Sequence, residues 1–180
     1  MLKPQDILVS LRLLLAERRG EVPSYPMLSQ WTGLSASEAH SAVKRAAQSS
    51  LVTKTAGSVT APFAWRANRA AIEEFLLHAI PFLLPLELGT LQRGMPTGAA
   101  ALSPTSPSTD IVEAESWVWP FAQGSHRGIG VKPLYPSAPA IAATDRTFYE
   151  VLAATDLMRT TNTRLKRLGH TWLHANLLRL

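Results

Sequence analysis

Polar and basic side chains between positions 35 and 54 have the types and spacing of a set that contacts nucleic acid. Serine hydroxyls and backbone N–H groups at a helix N-terminus bind phosphate, whereas histidine and serine can reach the edges of bases. Lysine and arginine reach either bases or phosphates. The candidate contacts are Ser35, Ala36, Ser37, His40, Ser41, Lys44, Arg45 and Lys54. The chemistry that this set predicts is recognition of double-stranded DNA.

Catalytic and metal-binding chemistry has less support in the sequence. His170 and His174 lie four residues apart and could share a helix face, but the residues between them lack the glutamate of a metalloprotease helix. Glu73 and Glu74 are adjacent, so they diverge around a helix and cannot form a catalytic pair. The sequence has no cysteine, which excludes disulfides and thiol catalysis. We therefore expect a protein that is not an enzyme and needs no cofactor or metal.

The elements that would position the candidate contacts follow from the spacing between Leu28 and Ala46. A helix-turn-helix needs small residues where its helices cross and a glycine in the turn, and those places hold Ser29, Gly33, Ala39 and Ala42. Ser35 and Glu38 form a capping-box pattern, which starts a helix that runs to about Ser49. The residues on its buried face are then Ala39, Ala42, Val43 and Ala46. Helical periodicity places the candidate contacts on the opposite face.

The flanking patterns complete a winged helix over residues 1–80. The predicted elements are helices over 5–19 and 24–32, strands over 51–54 and 59–65 around a turn at 57–58, and a helix from Asn68 to about Ile80. Lys54 is the one charge near this hairpin, so we do not expect the wing to contact the minor groove. Two alternatives stay open, namely a small helical bundle without a ligand and a winged helix that docks proteins.

The remaining residues are predicted to form an arm and a helical C-terminal region. Residues 81–140 hold most of the prolines and read as an irregular Pro/Gly-rich arm, with a linker over 97–109 and two short strands within 111–135. Residues 141–180 read as helices, and a stripe of Leu165, Leu168, Trp172 and Leu177 predicts a homodimerisation surface. The alternative is that this stripe folds back on the winged domain of its own chain. The predicted fold class is mainly α with a small β-hairpin wing.

Charge is divided along the chain into three blocks. Residues 1–69 hold nine Lys/Arg against four Asp/Glu, residues 70–157 hold four against nine, and residues 158–180 hold five basic residues and no acid. A basic N-terminal block is typical of a nucleic-acid binder, and the acidic middle should face away from DNA. No segment reads as a membrane span or a signal peptide, so we expect a cytoplasmic protein.

Several segments resemble known bacterial proteins. The turn GLSAS at 33–37 is similar to that of many bacterial repressors, and the first 70 residues resemble MarR-like and ArsR-like winged-helix repressors. Over most of its length the chain resembles a family of small bacterial winged-helix proteins of unassigned role. That likeness is carried by residues 3–9 (KPQDILV), 68–70 with 74–76, 93–97 (RGMPT), and 133–137 (PLYPS) with Pro139. Because such genes can neighbour toxin-like nucleotidyltransferase genes, the resemblance implies an antitoxin or operon-regulator role.

The function predicted from these observations is sequence-specific DNA binding by an operator-binding, autoregulatory transcriptional repressor that acts as a homodimer. The alternative is an antitoxin-like interaction module whose 85–140 segment binds and neutralises a neighbour-encoded toxin-like protein.

Overall fold

The computed structural model describes residues 1–55, 65–102 and 116–179. In these ranges the protein is mainly helical, with a two-stranded sheet and a separate three-stranded sheet. The chain divides into two compact units: unit 1 comprises Met1–Phe75 with Leu177–Leu180, and unit 2 comprises Leu76–Asn176. Unit 2 therefore covers the whole range of the predicted arm together with most of the predicted C-terminal helical region. No helix within the described ranges combines the length and the apolar character needed to cross a bilayer.

Unit 1 begins with three helices, α1 (Pro4–Arg19), α2 (Tyr25–Thr32) and α3 (Ala36–Gln48), which confirm the helices predicted there. Pro4 lies in the first turn of α1, where its missing N–H costs no hydrogen bond. Gly20 ends this helix with a φ of 67°, a left-handed conformation that favours glycine. Ser24 starts α2, because its hydroxyl accepts a hydrogen bond from the Met27 backbone N–H at 3.3 Å.

Helix α1 differs from the amphipathic helix that its pattern predicts, because every residue from Asp6 to Ala16 is buried. The polar residues in this stretch have partners. The Arg12 guanidinium stacks on the Trp31 ring, 3.7 Å from its centroid, and its Nη2 donates to Glu21 Oε2 at 2.8 Å. A helix buried all round is the central element of a core, and α1 has this role in unit 1.

A short hairpin-like sheet follows α3. Strands β1 (Val52–Lys54) and β2 (Trp65–Ala67) pair antiparallel, with Val52 opposite Ala67. The predicted first strand is confirmed, but β2 begins at Trp65, where the predicted second strand ends. The predicted turn at 57–58 and most of that second strand, residues 59–64, lie outside the described residues. Glu17 Oε1 accepts the Ala67 backbone N–H at 2.7 Å and so attaches β2 to α1.

Three successive helical segments follow β2. They are α4 (Arg69–Glu74), a π-helical turn (Phe75–Ala79) and α5 (Ile80–Leu83). The Asn68 side chain caps α4 as predicted, since it accepts the Ala71 N–H at 3.3 Å. The predicted end near Pro81 is wrong by about one turn. Pro81 lies in the first turn of α5, where proline is tolerated because no N–H is required there.

Unit 2 contains regular structure where the sequence predicts an irregular arm. Its strands are β3 (Leu88–Thr97), β4 (Trp117–Pro120) and β5 (His126–Val131), with a short helix α6 (Ala99–Leu102) after β3. Strand β3 is antiparallel to both other strands, and β4 is parallel to β5, so the sheet closes on itself. Glycine and proline within β3 obscure its period. Gly94 is required there, because a Cβ would collide with the Trp119 carbonyl.

Three helices complete unit 2: α7 (Ala138–Thr144), α8 (Arg146–Met158) and α9 (Thr163–Leu173), followed by a π-helical turn (His174–Leu178). Helix α9 packs against α8 so closely that a Cβ at Gly169 would lie 2.7 Å from Leu157 Cβ. Leu165 and Leu177 of the predicted dimer stripe are buried within the single chain, whereas Leu168 is 45% exposed. Two of the four stripe residues are therefore buried in the single chain and Trp172 is partly buried, so homodimerisation stays a prediction.

A buried ion pair joins the sheet of unit 2 to α8. Asp156 Oδ2 accepts hydrogen bonds from Thr97 Oγ1 and Trp119 Nε1, both at 2.7 Å, and Asp156 Oδ1 accepts from Arg159 Nη1 at 2.8 Å. Burial raises the pKa of Asp156, and the Arg159 charge and the three donors oppose that rise. Arg159 also donates to three backbone carbonyls, those of Leu84, Pro85 and Lys132.

The predicted linker over 97–109 is wrong at its start. Thr97 is a core residue of β3, and the residues after it form α6. The rest of that predicted linker, residues 103–109, lies outside the described residues.

Candidate nucleic-acid interface

Helices α2 and α3 are joined by a three-residue turn that the sequence predicts in detail. Gly33 has a φ of 70° and ends α2, and Leu34 is buried beneath the turn. Ser29 Oγ donates to the Leu34 carbonyl at 2.5 Å, which holds the turn against α2. The predicted inner face of α3 is confirmed, since its residues are completely buried: Ala39, Ala42, Val43 and Ala46.

The opposite face of α3 carries the candidate contacts. The exposed ones are Ser35, Ala36, Ser37, His40 and Lys44, and the partly exposed ones are Ser41 and Arg45. Because a buried stripe fixes the rotation of the helix, these side chains share one side of α3, as the periodicity predicts. Their contacts differ, however, and the differences decide which of them are available to a ligand.

The N-terminus of α3 is occupied by its own capping box. Ser35 Oγ and the Ser35 backbone N–H donate to Glu38 Oε2 at 2.7 and 2.9 Å, and the Glu38 N–H donates to Ser35 Oγ at 3.2 Å. The side-chain and backbone hydrogen bonds from Ser35 lower the pKa of Glu38. A carboxylate thus lies where a phosphate was predicted to bind. Ser37 is the hydroxyl that this arrangement leaves for a ligand.

Arg45 lies at the margin of the outer face, and its guanidinium binds a carboxylate of the same chain. Its Nε lies 3.0 Å from both carboxylate oxygens of Asp6, and its Nη2 lies 2.7 Å from Asp6 Oδ1. Asp6 is fully buried in α1 and also accepts the Lys3 backbone N–H at 2.8 Å. Helical periodicity places Arg45 at the margin of the face, and the buried carboxylate then attracts its guanidinium. A role in DNA contact for Arg45 stays a prediction.

An aromatic contact that the sequence analysis missed links α2, α3 and the small sheet. The Tyr25 and His40 rings meet edge to face with centroids 4.9 Å apart, and Trp65 Nε1 donates to Tyr25 Oη at 3.0 Å. His40 is exposed while one side of its ring is held by Tyr25. An aromatic residue just after an N-cap serine, followed by tryptophan in the strand, is the signal that could have indicated this contact.

The two-stranded sheet presents more positive charge than predicted. Lys54 is exposed at the end of β1, opposite Trp65, and Arg66 of β2 is exposed opposite Thr53. The predicted second strand ends at residue 65, so Arg66 is not among the predicted contacts. Extending that strand to the Asn68 cap would have included it. The prediction that Lys54 is the one charge near the hairpin is therefore wrong, because Arg66 is a second.

The titratable side chains outside α3 include a histidine pair and the helix-capping Asp145. The His170 and His174 rings lie 5.9 Å apart, and the described residues contain no group of three His, Asp or Glu side chains that could hold a metal ion. Asp145 caps α8 by accepting the Phe148 N–H at 3.0 Å. Comparisons of the chain with protein-family models, with curated proteins and with solved structures find no match. The resemblance to winged-helix repressors therefore stays a prediction.

Proposed function

We propose that unit 1 is a winged helix-turn-helix and that the protein is a sequence-specific DNA-binding transcriptional regulator. The observation that carries the proposal is the two-sided character of α3. One side packs as an all-small apolar stripe into unit 1, and the other presents Ser37, His40 and Lys44 to solvent. The order of three helices followed by an antiparallel pair of strands agrees with this proposal. In such a module the second helix of the pair enters the major groove.

The contacts divide into two classes. The N-terminal half of α3, with Ser37, His40 and Ser41, would face base edges and supply sequence specificity. Lys44 would bind phosphate, and Lys54 and Arg66 would place the small sheet against the adjacent backbone. Half-site recognition by this type of module is best served by a two-fold dimer, so we also propose that the protein binds an operator as a homodimer.

Fluorescence anisotropy with the DNA upstream of the protein's own gene tests the proposal. We expect the parent protein to prefer this DNA to a scrambled duplex at equal salt. His40→Ala should reduce that preference without changing the salt dependence, because a contact with a base edge neutralises no phosphate. Lys44→Ala should weaken binding to both duplexes and lower the slope of log affinity against log salt by about one.

Lys132→Ala is the matched control, because Lys132 is also an exposed lysine but lies in unit 2, paired with Glu87 at 3.1 Å. The proposal fails if a His40→Ala, Lys44→Ala double variant keeps the parent's melting temperature and binds its upstream DNA with the parent's affinity.

A second candidate function is favoured by apolar exposure in unit 2. Phe82 is 76% exposed, and Leu83, Leu88 and Leu91 are each more than 60% exposed. These residues lie close together in the sequence, and a contiguous exposed apolar patch is typical of a protein-docking surface. As an antitoxin-like module, the protein would bind a neighbour-encoded toxin through this surface. Co-expression of the two proteins, with Phe82→Ser and Leu91→Ser abolishing their association while the His40→Ala variant does not, would distinguish this function from DNA binding.

A further inference from the structure

Two arginines face each other across the sheet of unit 2. Arg93 of β3 is directly opposite Arg127 of β5 in the antiparallel ladder, between the pairs Gln92–Gly128 and Gly94–His126. Directly opposite residues in an antiparallel pair project from the same face, with Cβ atoms about 4.5–5.5 Å apart. Both side chains are exposed. The sheet thus presents two guanidinium groups from one small area.

Neither guanidinium has a partner in the part of the chain that the structure describes: no hydrogen bond or ion pair involves Arg93 or Arg127. Other arginines are placed differently. Arg45 binds Asp6, Arg146 binds Glu150 and Arg159 binds Asp156. Like charges directly opposite each other destabilise a strand pair. The Arg93–Arg127 pair therefore works against the sheet, and an anion between the two groups would relieve that repulsion.

The backbone holds this pair in place. A Cβ at Gly124 would collide with the backbone of Gly94, so the β4–β5 connection presses against β3 next to Arg93. At the end of that connection, Ser125 Oγ and His126 Nδ1 lie 2.8 Å apart, and both residues are exposed. His126 is the neighbour of Arg127 in β5 and is paired with Gly94, so its side chain projects from the opposite face of the sheet. The candidate anion site therefore consists of the two guanidinium groups on one face.

We propose that Arg93 and Arg127 form a phosphate-binding site on unit 2, separate from the proposed DNA-reading helix of unit 1. A planar guanidinium donates two parallel hydrogen bonds to phosphate oxygens, and a pair of them suits one dianionic group. The ligand chemistry is a phosphate group, which a free phosphorylated molecule or a nucleic-acid backbone can supply. The site does not depend on the proposed function, because none of its residues belongs to α3.

Two probes distinguish the sources of phosphate, with the full-length chain used throughout. Inorganic pyrophosphate, followed by NMR of the arginine Nε–H signals, tests a free phosphorylated ligand. A short duplex of unrelated sequence, followed by anisotropy at several salt concentrations, tests a nucleic-acid backbone. For whichever probe binds, the Arg93→Gln, Arg127→Gln double variant should lose affinity by roughly tenfold or more, as expected for charge-assisted hydrogen bonds. With the duplex, the salt slope should also fall by about 0.9 for each phosphate that the variant no longer neutralises.

Arg146→Gln controls for net charge, because it removes an exposed arginine whose Nε already binds Glu150 Oε1 at 2.7 Å. It should leave the binding of either probe unchanged. The Arg93→Lys variant keeps the charge but not the planar fork, so its affinity should lie between those of the parent and the Gln variant.

Thermal unfolding separates this site from a structural role. The double variant should melt at or above the parent's temperature, because the repulsion between the guanidinium groups is gone. Loss of pyrophosphate binding together with a preserved melting temperature supports the site even if Lys44→Ala leaves upstream DNA binding intact and the proposed function fails. If the double variant binds both probes as the parent does, or if the parent binds neither, the inference is overturned.

Discussion

The ion pair between Arg45 and Asp6 allows a sharp test of how α3 is held. Arg45→Ala should lower the free energy of unfolding of unit 1 by about 2–3 kcal/mol, which is below the full cost of breaking a buried pair, about 3–5 kcal/mol. The magnitude follows from burial: Asp6 is fully buried, and after the substitution its carboxylate keeps the Lys3 backbone N–H as a donor. Because the Arg45 side chain is 26% exposed, water can reach the vacated space and reduce that cost.

Urea unfolding followed by amide exchange of α1 measures this quantity, since a chain of two units need not unfold in one step. Arg45→Lys should cost less than Arg45→Ala, because it keeps the charge without the two-pronged geometry. The double variant Asp6→Asn, Arg45→Ala should be less destabilised than the sum of the single variants, because the buried charge is then absent.

The opposite pattern would refute this reasoning. If Arg45→Ala stays within about 0.5 kcal/mol of the parent, as exposed substitutions usually do, the ion pair has no structural role. If the same variant then also lowers the salt slope of DNA binding, Arg45 contacts phosphate, as the sequence predicts, and the Asp6 contact is replaced on binding.

Three further predictions concern other sites. Glu38→Gln removes the carboxylate at the start of α3 while glutamine can keep the capping box, so we expect an unchanged melting temperature and roughly two- to fivefold tighter binding of upstream DNA by anisotropy; equal or weaker binding would contradict this. Gly169→Ala should cost about 1–3 kcal/mol in urea unfolding of unit 2, because the new Cβ would lie 2.7 Å from Leu157 Cβ, and a neutral effect would show that α8 and α9 separate easily. Burial raises the pKa of Tyr149 to about 12, and its hydroxyl donates to the Pro96 carbonyl at 2.7 Å. Its contribution to stability is therefore complete below about pH 10 and declines as the pH rises towards 12, which phenolate absorbance of the folded chain should follow; full titration of all tyrosines near pH 10 would contradict it.

The sequence predicts the helices of unit 1 well, because residues close together in the sequence determine where these helices begin and end. Gly33 needs a left-handed backbone, Ser35 with Glu38 caps a helix, and the alanines of α3 repeat with helical period. Each of these depends on neighbours within a few residues. The structure confirms all of them, together with the Asn68 cap.

The sequence predicts unit 2 poorly, because its strands pair with residues that are distant in the sequence. Strand β3 reads as a loop, since its glycines and Pro96 hide the alternation of a strand. Its place in the sheet depends on pairing with β4 and β5, which lie some twenty or more residues away in sequence. The buried carboxylate of Asp156, which bonds Thr97 and Trp119, likewise has no local pattern. Long-range pairing of this kind leaves almost no trace in a window of a few residues.

The same distinction applies to charge at the proposed DNA interface. Counted along the sequence, residues 1–69 are strongly basic, but the structure pairs Arg12 with Glu21 and Arg45 with Asp6. The positive side chains exposed on α3 and the small sheet are Lys44, Lys54 and Arg66. These elements expose only three cations in the described residues, and α3 also exposes the Glu38 carboxylate. Each of the three cations should therefore account for a large share of any phosphate affinity. If α3 and the small sheet form the proposed DNA interface, its specificity should therefore depend on base contacts from α3 more than on a dense cluster of charge.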